Sequence, residues 1–471
     1  MVDNSSGAMS KGFRWGAGLN ILSFFVAFGG SIVLARMVGP EPFGEFVLLL
    51  AIVEILGVFI AFSPGVVVVQ NREHELEDLV GNAVIFSFAL SLVLFLLVCL
   101  VSVSFYQDSI FIMMILCAAK IVEVVSSIYV CALDRLLMIK RKAFYLLCVN
   151  LLAFICALGV AFWEISVWVF VTQYVFAKAA FGFVVWRMGR KYSRYKFDKR
   201  LFSLFFQKGR SLFFVSGLEK LKLHVDKFAV GTVLTLSQVG LYTRGRNLAQ
   251  MFQSQVFNSI RPIMLSSISE LQGDNDKTEK LVNALLFVYL WFSVSLLLIF
   301  LLFSKEIVLL LFGEDWLESA NILKYMSLLG VISPLLIFGR VFLYGRGLYS
   351  TVNKIAVVEF LLLCAGYAVF FVYEDILVLI GCLTAVSGIA LFGYFWAVSR
   401  IVKIYLDKLL LVLSMFGLNY FVSQYIFEKY FEGSFYLSLF LLAPLVVVFY
   451  LMSVFLVKRN YIYQVIGYVR R

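Results

Sequence analysis

A short run of charged residues interrupts an otherwise apolar part of the sequence. Residues 218–231 read LEKLKLHVDKFAVG and place six ionisable side chains within nine positions. At about 100° per residue of an α-helix, the six divide between two faces. Lys220, His224 and Lys227 form one face, the cationic stripe, whose chemistry suits an anion. Glu219, Lys222 and Asp226 form the other, the mixed stripe, on which Lys222 has a carboxylate within reach on each side.

The composition places most of the chain in a membrane. The sequence has 471 residues, of which 62% are hydrophobic and 15% charged, and its mean hydropathy is +0.96. A soluble domain cannot hide so much apolar surface, because its exterior must be largely polar. The net charge of +11 does not indicate a nucleic-acid partner, since membrane proteins collect Lys and Arg in their cytoplasmic loops. We therefore predict an all-α integral membrane protein.

Fourteen stretches meet the requirement of about 20 mostly apolar residues for a spanning helix. Their approximate bounds are 15–35, 46–65, 80–104, 110–133, 143–162, 165–186, 211–236, 247–268, 281–303, 319–340, 352–372, 376–398, 409–427 and 435–457. The eighth and tenth are the least hydrophobic, so twelve or thirteen spans is the competing count. The first stretch has no cleavage-like site, and we expect it to be a retained helix rather than a signal peptide.

The distribution of basic residues predicts the orientation. With the N-terminus in the cytoplasm, 28 of the 40 Lys and Arg residues fall on the cytoplasmic side and only five on the outer side. Cytoplasmic loops carry this excess, so we expect both termini in the cytoplasm. The largest cytoplasmic segment, 187–210, has nine basic residues against Asp198 alone. It is expected to be an interfacial linker on an anionic leaflet.

Two similar segments indicate an internal repeat. VGPEPFGEF at 38–46 follows the first span, and LTLSQVGLY at 234–242 follows the seventh, with Gly44 aligned on Gly240. The next span in each half carries a proline, Pro64 or Pro262. We infer two six-helix lobes in parallel repeat plus two C-terminal helices. The predicted divisions are 1–196 and 197–400 for the lobes and 401–471 for the additional pair.

Three stretches carry a resemblance to a known family. IVLARMVGPEPFGEFVLL (32–49) resembles the start of polysaccharide-transport proteins, which include the bacterial O-antigen flippases. VDKFAVGTVLTLSQVGLYTRGRNL (225–248) and VLLLFGEDWLESANILKYMSLL (308–329) are similar to later segments of that family. It belongs to the multidrug/oligosaccharidyl-lipid/polysaccharide exporter superfamily. The resemblance implies two lobes around a cavity, alternating access, and a lipid-linked oligosaccharide as cargo, commonly linked to undecaprenyl pyrophosphate.

The charges of the seventh span need a reason, because a charge at the centre of a spanning helix costs roughly 2.5–3.5 kcal/mol. Two interpretations of the cationic stripe stay open. It could line a cavity and hold the diphosphate of a lipid carrier, with Arg261 of the eighth span as a further substrate-binding cation. Alternatively, Glu54 or Glu123 could pair with it structurally. Lys120 and Glu123, at i and i+3, are expected to satisfy each other, and Lys178 is expected to be isolated. Glu219, Lys222, Asp226, Glu54, Lys120 and Glu123 are thus predicted as structural or coupling charges.

No catalytic, metal or cofactor site is predicted. The chain has two histidines, and its seven cysteines all lie in apolar stretches without a CxxC pair. It contains no GxxxxGK[ST] loop. The D-x-D within GDNDKT (273–278) is expected to be a solvated turn. Gln253, Gln255 and Asn258 could bind sugar hydroxyls or join helices.

The resemblance, together with the missing catalytic motifs, implies a flippase rather than an enzyme. We expect it to move an undecaprenyl-pyrophosphate-linked repeat unit, of O-antigen lipopolysaccharide or a related polysaccharide, across the bacterial inner membrane. Expected partners are that glycan, membrane lipids, and possible polymerase and chain-length machinery. The alternatives are a drug/cation antiporter of the same superfamily, which would need an acidic cavity, and an integral-membrane polymerase, which would need a larger loop outside the bilayer.

Overall fold

The computed structural model describes residues 3–60, 62–270, 274–426, 443–452 and 455. Within these ranges the chain forms no strand, and the α-helices that precede residue 427 are fourteen, labelled α1 to α14. In chain order they are α1 (Asp3–Val38), α2 (Pro40–Leu56), α3 (Pro64–Gln70), α4 (Leu76–Phe105), α5 (Ile110–Arg135), α6 (Ile139–Trp163), α7 (Trp168–Gly189), α8 (Lys199–Val233), α9 (Leu236–Glu270), α10 (Asn275–Leu311), α11 (Ser319–Gly345), α12 (Tyr349–Tyr373), α13 (Ile376–Ser399) and α14 (Leu406–Ile426).

Eleven spans among the described residues are long and apolar enough to cross a membrane. They cover every predicted span from the first to the thirteenth except the seventh and eighth. Those two correspond to α8 and α9, which are 35 residues long but more polar. A further apolar helix at Ala443–Met452 lies in the fourteenth predicted span. Eleven spans thus meet both criteria, and α8, α9 and the helix at Ala443–Met452 bring the count to about fourteen.

The second span is broken, contrary to the prediction of one helix over 46–65. Helix α2 ends at Leu56, and after a short 3-10 turn at Gly57–Ile60 the chain passes through Ser63 with a φ of 50°. Proline lacks an amide N–H and its ring excludes the preceding helical turn, so Pro64 begins α3 instead of continuing α2. The backbone of α9 is helical through residue 262. The two prolines are thus not structurally equivalent, and they do not support the repeat.

The chain forms two compact units, residues 1–240 and residues 241–471. The first holds α1 to α8 and the start of α9, and the second holds the remaining helices. Each unit has its own buried hydrophobic cluster. The division at residue 196 stays a prediction for the lobes.

The predicted linker 187–210 consists mainly of helix ends. Helix α7 ends at Gly189 and α8 begins at Lys199, with Asp198 capping the amide of Arg200 at 2.7 Å. Between them, Arg194 forms ion pairs with Glu75, Glu77 and Asp78 of the α4 N-terminus, at 3.0–3.3 Å. These carboxylates, Asp78 foremost, raise the pKa of the Arg194 guanidinium. The connection between the helices is therefore held against α4.

A buried asparagine fixes an equivalent connection in each unit. In the first unit, Asn82 of α4 donates to the Lys196 carbonyl at 2.9 Å and accepts from the Asp198 amide at 2.8 Å. In the second, Asn283 of α10 donates to the Lys403 carbonyl at 2.8 Å and accepts from the Tyr405 amide at 2.7 Å. These two asparagine latches join corresponding helices, the third and the ninth spans, to the segments that follow each set of six.

Candidate functional site

The orientation of α8 within the first unit follows from its glycines. A Cβ built on Gly217 would meet Val58 at 3.0 Å, and one on Gly231 would meet Leu48 at 2.5 Å. Both neighbours lie on the second span, so the glycine face of α8 packs against it. Counting from Gly217, the cationic stripe falls at i+3, i+7 and i+10, and Gly231 falls at i+14, which is the same face. The stripe is therefore directed toward the second span rather than away from it.

Four charged side chains from three helices meet beside this face and form the ion-pair cluster. The Lys120 ammonium on α5 donates to Glu54 Oε1 of α2 at 2.7 Å and to Glu123 Oε2 at 2.8 Å. The other oxygen of Glu123 accepts a hydrogen bond from Lys178 of α7. The predicted Lys120–Glu123 pair thus forms, but it is not self-contained. The expectation that Lys178 is isolated was wrong, because α7 brings it to Glu123.

The cluster has a buried end and an open end. The side chains of Lys120 and Glu54 are 10% and 12% exposed, whereas those of Glu123 and Lys178 are 32% and 31% exposed. Lys178 Nζ also lies 5.3 Å from the ring centroid of Tyr174, an arrangement that favours a cation. Buried charges survive in membranes when they are paired or face an aqueous space. The buried end meets the first condition, because Lys120 and Glu54 pair there.

Lys220 and Lys227 add positive charge to this region. Lys220 lies within electrostatic range of Glu54, Glu123 and Lys120, and Lys227 lies within range of Glu54. Neither forms an ion pair with any residue in the described part of the chain. Together with the cluster they amount to four lysines and two glutamates, a net charge of +2. In the structural alternative, Glu54 or Glu123 neutralises the stripe. Glu54 and Glu123 do lie near the lysines of the stripe, but they form no direct ion pair with them.

The structure describes the side chains of only some of the remaining predicted site residues. Asp226 is fully buried, and Lys222 and His224 are half-buried. The side chains of Glu219 and Arg261 lie outside the described residues, as do those of Gln253, Gln255 and Asn258. Among the described residues no group of His, Cys, Asp or Glu side chains could hold a metal ion.

The second unit contains a buried charged pair that the sequence did not predict. Arg340 of α11 lies 3.7 Å from Glu359 of α12, and Glu359 is 5% exposed. The guanidinium also lies 5.6 Å from the ring centroid of Tyr394 on α13. The two charges belong to different helices and have no charged neighbour at helical spacing, so periodicity alone could not reveal them.

Comparison with known families decides the assignment. Residues 33–321 match the model of a family described as polysaccharide biosynthesis protein. The chain belongs to this family. The matched region includes α2 to α10 and hence the whole ion-pair cluster and both stripes. No curated protein sequence matches the chain.

Solved structures share the fold at low sequence identity. The lipid II flippase MurJ in an inward closed conformation is 13% identical, with a TM-score of 0.69, and covers 94% of this chain and 99% of its own. An inward-facing multidrug resistance MATE family transporter of the MOP superfamily is 12% identical, with a TM-score of 0.61, covering 81% and 98%. A MOP superfamily transporter from Pyrococcus furiosus, described by the reverse polarity of its binding pocket, is 12% identical with a TM-score of 0.55, covering 83% and 94%.

These likenesses establish the fold of this family member. The chain is a multi-pass, all-α membrane protein with the MurJ and MATE architecture. The predicted fold class, an all-α membrane protein with about fourteen membrane helices, is confirmed. So is the resemblance to the polysaccharide-transport branch of the superfamily.

Proposed function

We propose that this protein is a flippase for a lipid-linked oligosaccharide, of the undecaprenyl-pyrophosphate-linked kind used for O-antigen or a related polysaccharide. The observation that carries the proposal is the net positive charge of +2 around the ion-pair cluster, in a family member with the flippase fold. Lysine ammonium groups suit phosphate oxygens as point charges. The cluster region therefore offers the anionic headgroup a partner inside the membrane.

The proposed transport cycle begins with binding of the headgroup at the ion-pair cluster and at Lys220 and Lys227. In this cycle the cationic groups select the diphosphate, and the polyprenyl tail stays in the bilayer. Alternating access then exposes the headgroup to the opposite side. The membrane is the bacterial inner membrane in this proposal, with both termini in the cytoplasm, and the exported units supply a polymerase.

The MATE fold also suits a drug/cation antiporter. Such a transporter would attract cationic drugs with a net acidic site, whereas the described charges around the cluster are net positive. Charge complementarity therefore favours an anionic cargo.

The test is export of glycan to the cell surface in a strain that lacks the native gene. The Lys220→Ala, Lys227→Ala double variant should reach the membrane in normal amount but reduce export at least about tenfold, a loss of roughly 1.4 kcal/mol of cargo interaction. Arginine at both positions should retain part of the export, and glutamate should retain none. Lys305→Ala is the matched control, because Lys305 is exposed and remote in sequence from the cluster.

Export must be normalised to the amount of protein in the membrane. Full export by the double variant would contradict the headgroup role of Lys220 and Lys227. The two lysines would then be helix-packing charges directed at Glu54.

A further inference from the structure

Glu123 bridges two lysines in a way that resembles a bound phosphate. One carboxylate oxygen accepts from Lys120 at 2.8 Å, and the other accepts from Lys178. Two oxygens of one phosphoryl group would address two ammonium groups in the same manner. The carboxylate thus lies where an anionic ligand of these lysines would place its own oxygens.

The two ends of the cluster differ in how they could respond to a ligand. Glu54 and Lys120 are nearly enclosed, and breaking their contact would strand charge in a buried place, at a cost of several kcal/mol. Glu123 and Lys178 are each about one-third exposed. Their contact is therefore the one that a ligand can reach and open at moderate cost.

We propose that Glu123 is an internal counter-ion that the diphosphate of the cargo displaces from Lys178. This inference rests on the proposed function. In the empty transporter, Glu123 pairs with both Lys120 and Lys178, and Glu54 supplies the second negative charge. When the headgroup arrives, its phosphate oxygens take Lys178, while Glu123 keeps Lys120 together with Glu54. Return of Glu123 to Lys178 then expels the headgroup.

Exchange of this kind keeps the ammonium groups of Lys120 and Lys178 paired throughout the cycle. Without a competing carboxylate, Lys178 would hold the diphosphate too tightly to release it, whereas competition with Glu123 gives a moderate affinity. The surplus charge of Lys220 and Lys227 draws the anion toward the cluster without depending on the exchange. Selection and release are thus assigned to different residues.

The experiment compares two substitutions that change the net charge equally. The full chain in lipid nanodiscs would be titrated with farnesyl diphosphate, a short isoprenoid diphosphate, for wild type, Glu123→Gln and Glu54→Gln. Both variants remove one negative charge from the cluster, so both strengthen the field felt by the probe. Only Glu123→Gln removes the competitor for Lys178. We expect it to bind the probe about fivefold more tightly than Glu54→Gln does, equivalent to roughly 1 kcal/mol.

Two further variants keep the inference testable if Glu123→Gln does not fold. Glu123→Asp retains the charge but is too short to hold both lysines, so it should also bind the probe more tightly than wild type. Lys178→Gln should weaken binding about tenfold. Folding of each variant is checked by size-exclusion chromatography and thermal unfolding.

The rate of glycan export distinguishes this role of Glu123 from that of a structural ion pair. Glu123→Gln should export glycan more slowly than wild type although it binds the probe more tightly, because the headgroup is no longer expelled. The exchange would be overturned by two results together. Glu123→Gln would bind the probe no more tightly than Glu54→Gln does, and Glu123→Asp would bind it no more tightly than wild type does. Absence of probe binding by wild type, together with no restoration of surface glycan when wild type is expressed in the deletion strain, would instead overturn the proposed function itself.

Discussion

Lys120 is the residue on which the ion-pair cluster depends, because its ammonium contacts both glutamates. It lies in the middle of α5, and its side chain is only 10% exposed. A lone charge at that depth would be expelled or neutralised. Here two carboxylates from two helices hold it, and it keeps those carboxylates from repelling each other.

At this scale we predict that Lys120→Met destabilises the protein far more than Lys178→Met. Removing Lys120 leaves Glu54 and Glu123 without their shared cation, for which the expected loss is about 3–5 kcal/mol. Removing Lys178 leaves Glu123 still paired with Lys120 and partly exposed, so the expected loss is about 1 kcal/mol. Thermal unfolding in detergent and the amount of protein in the membrane measure both. Equal losses of stability would show that the buried contacts of Lys120 stabilise the protein no more than the partly exposed contact of Lys178.

At the scale of helices, the start of α9 and α2 approach closely through a pair of glycines in the first unit. A Cβ on Gly44 would lie 1.7 Å from the Leu236 carbonyl oxygen, and one on Gly240 would lie 2.1 Å from that of Pro40. The two glycines that align in the sequence repeat therefore face each other across one contact. Only residues without a side chain allow the two backbones to come so near.

We expect Gly44→Ala to lower stability by about 3 kcal/mol or more, because the new methyl group meets backbone rather than a side chain that could turn aside. Gly29→Ala in α1 is the matched control, since a Cβ there meets nothing within 4 Å. That change should be neutral or stabilising by up to about 1 kcal/mol, because alanine is the better helix former. Membrane abundance and thermal unfolding provide the measurement. Normal abundance of Gly44→Ala would refute the close contact.

At the scale of the whole molecule, tertiary contacts show equivalent connections in the two units. Each asparagine latch lies within its own unit and makes the same pattern of bonds, including one from Nδ2 to the carbonyl four residues before it. The turns after α5 and α11 also match, with left-handed backbone at Leu137 (φ 56°) and Gly347 (φ 75°). These features, unlike the prolines, place equivalent groups at equivalent positions.

The orientation in the membrane is the prediction that belongs to this scale. We expect a single cysteine at Ser193, introduced after the seven native cysteines are replaced, to react with an impermeant thiol reagent only from the cytoplasmic side. The reason is the excess of basic residues on that side, including all nine of those in 187–210. A cysteine at Lys305 is the companion site and should be labelled only from outside. Labelling of residue 193 from outside would reverse the topology.

The sequence alone determined the membrane class and the approximate spans, because apolar runs of about 20 residues are stable in the hydrocarbon core of a bilayer and not in water. It also determined local pairs such as Lys120 with Glu123, since residues at i and i+3 are neighbours on any helix. The grouping of charges on α8 into two faces follows from the same periodicity.

Only the tertiary structure decided which helices share those charges. Glu54 reaches Lys120 across 66 residues, and Lys178 reaches Glu123 across 55. The break of α2 before Pro64 and the asparagine latches also depend on neighbouring helices. A helix that is apolar all round can be rotated or shifted against its neighbours with little change in buried apolar area, so hydrophobicity does not select the register. Close glycine contacts and buried ion pairs select it, and these exist only once the helices have packed.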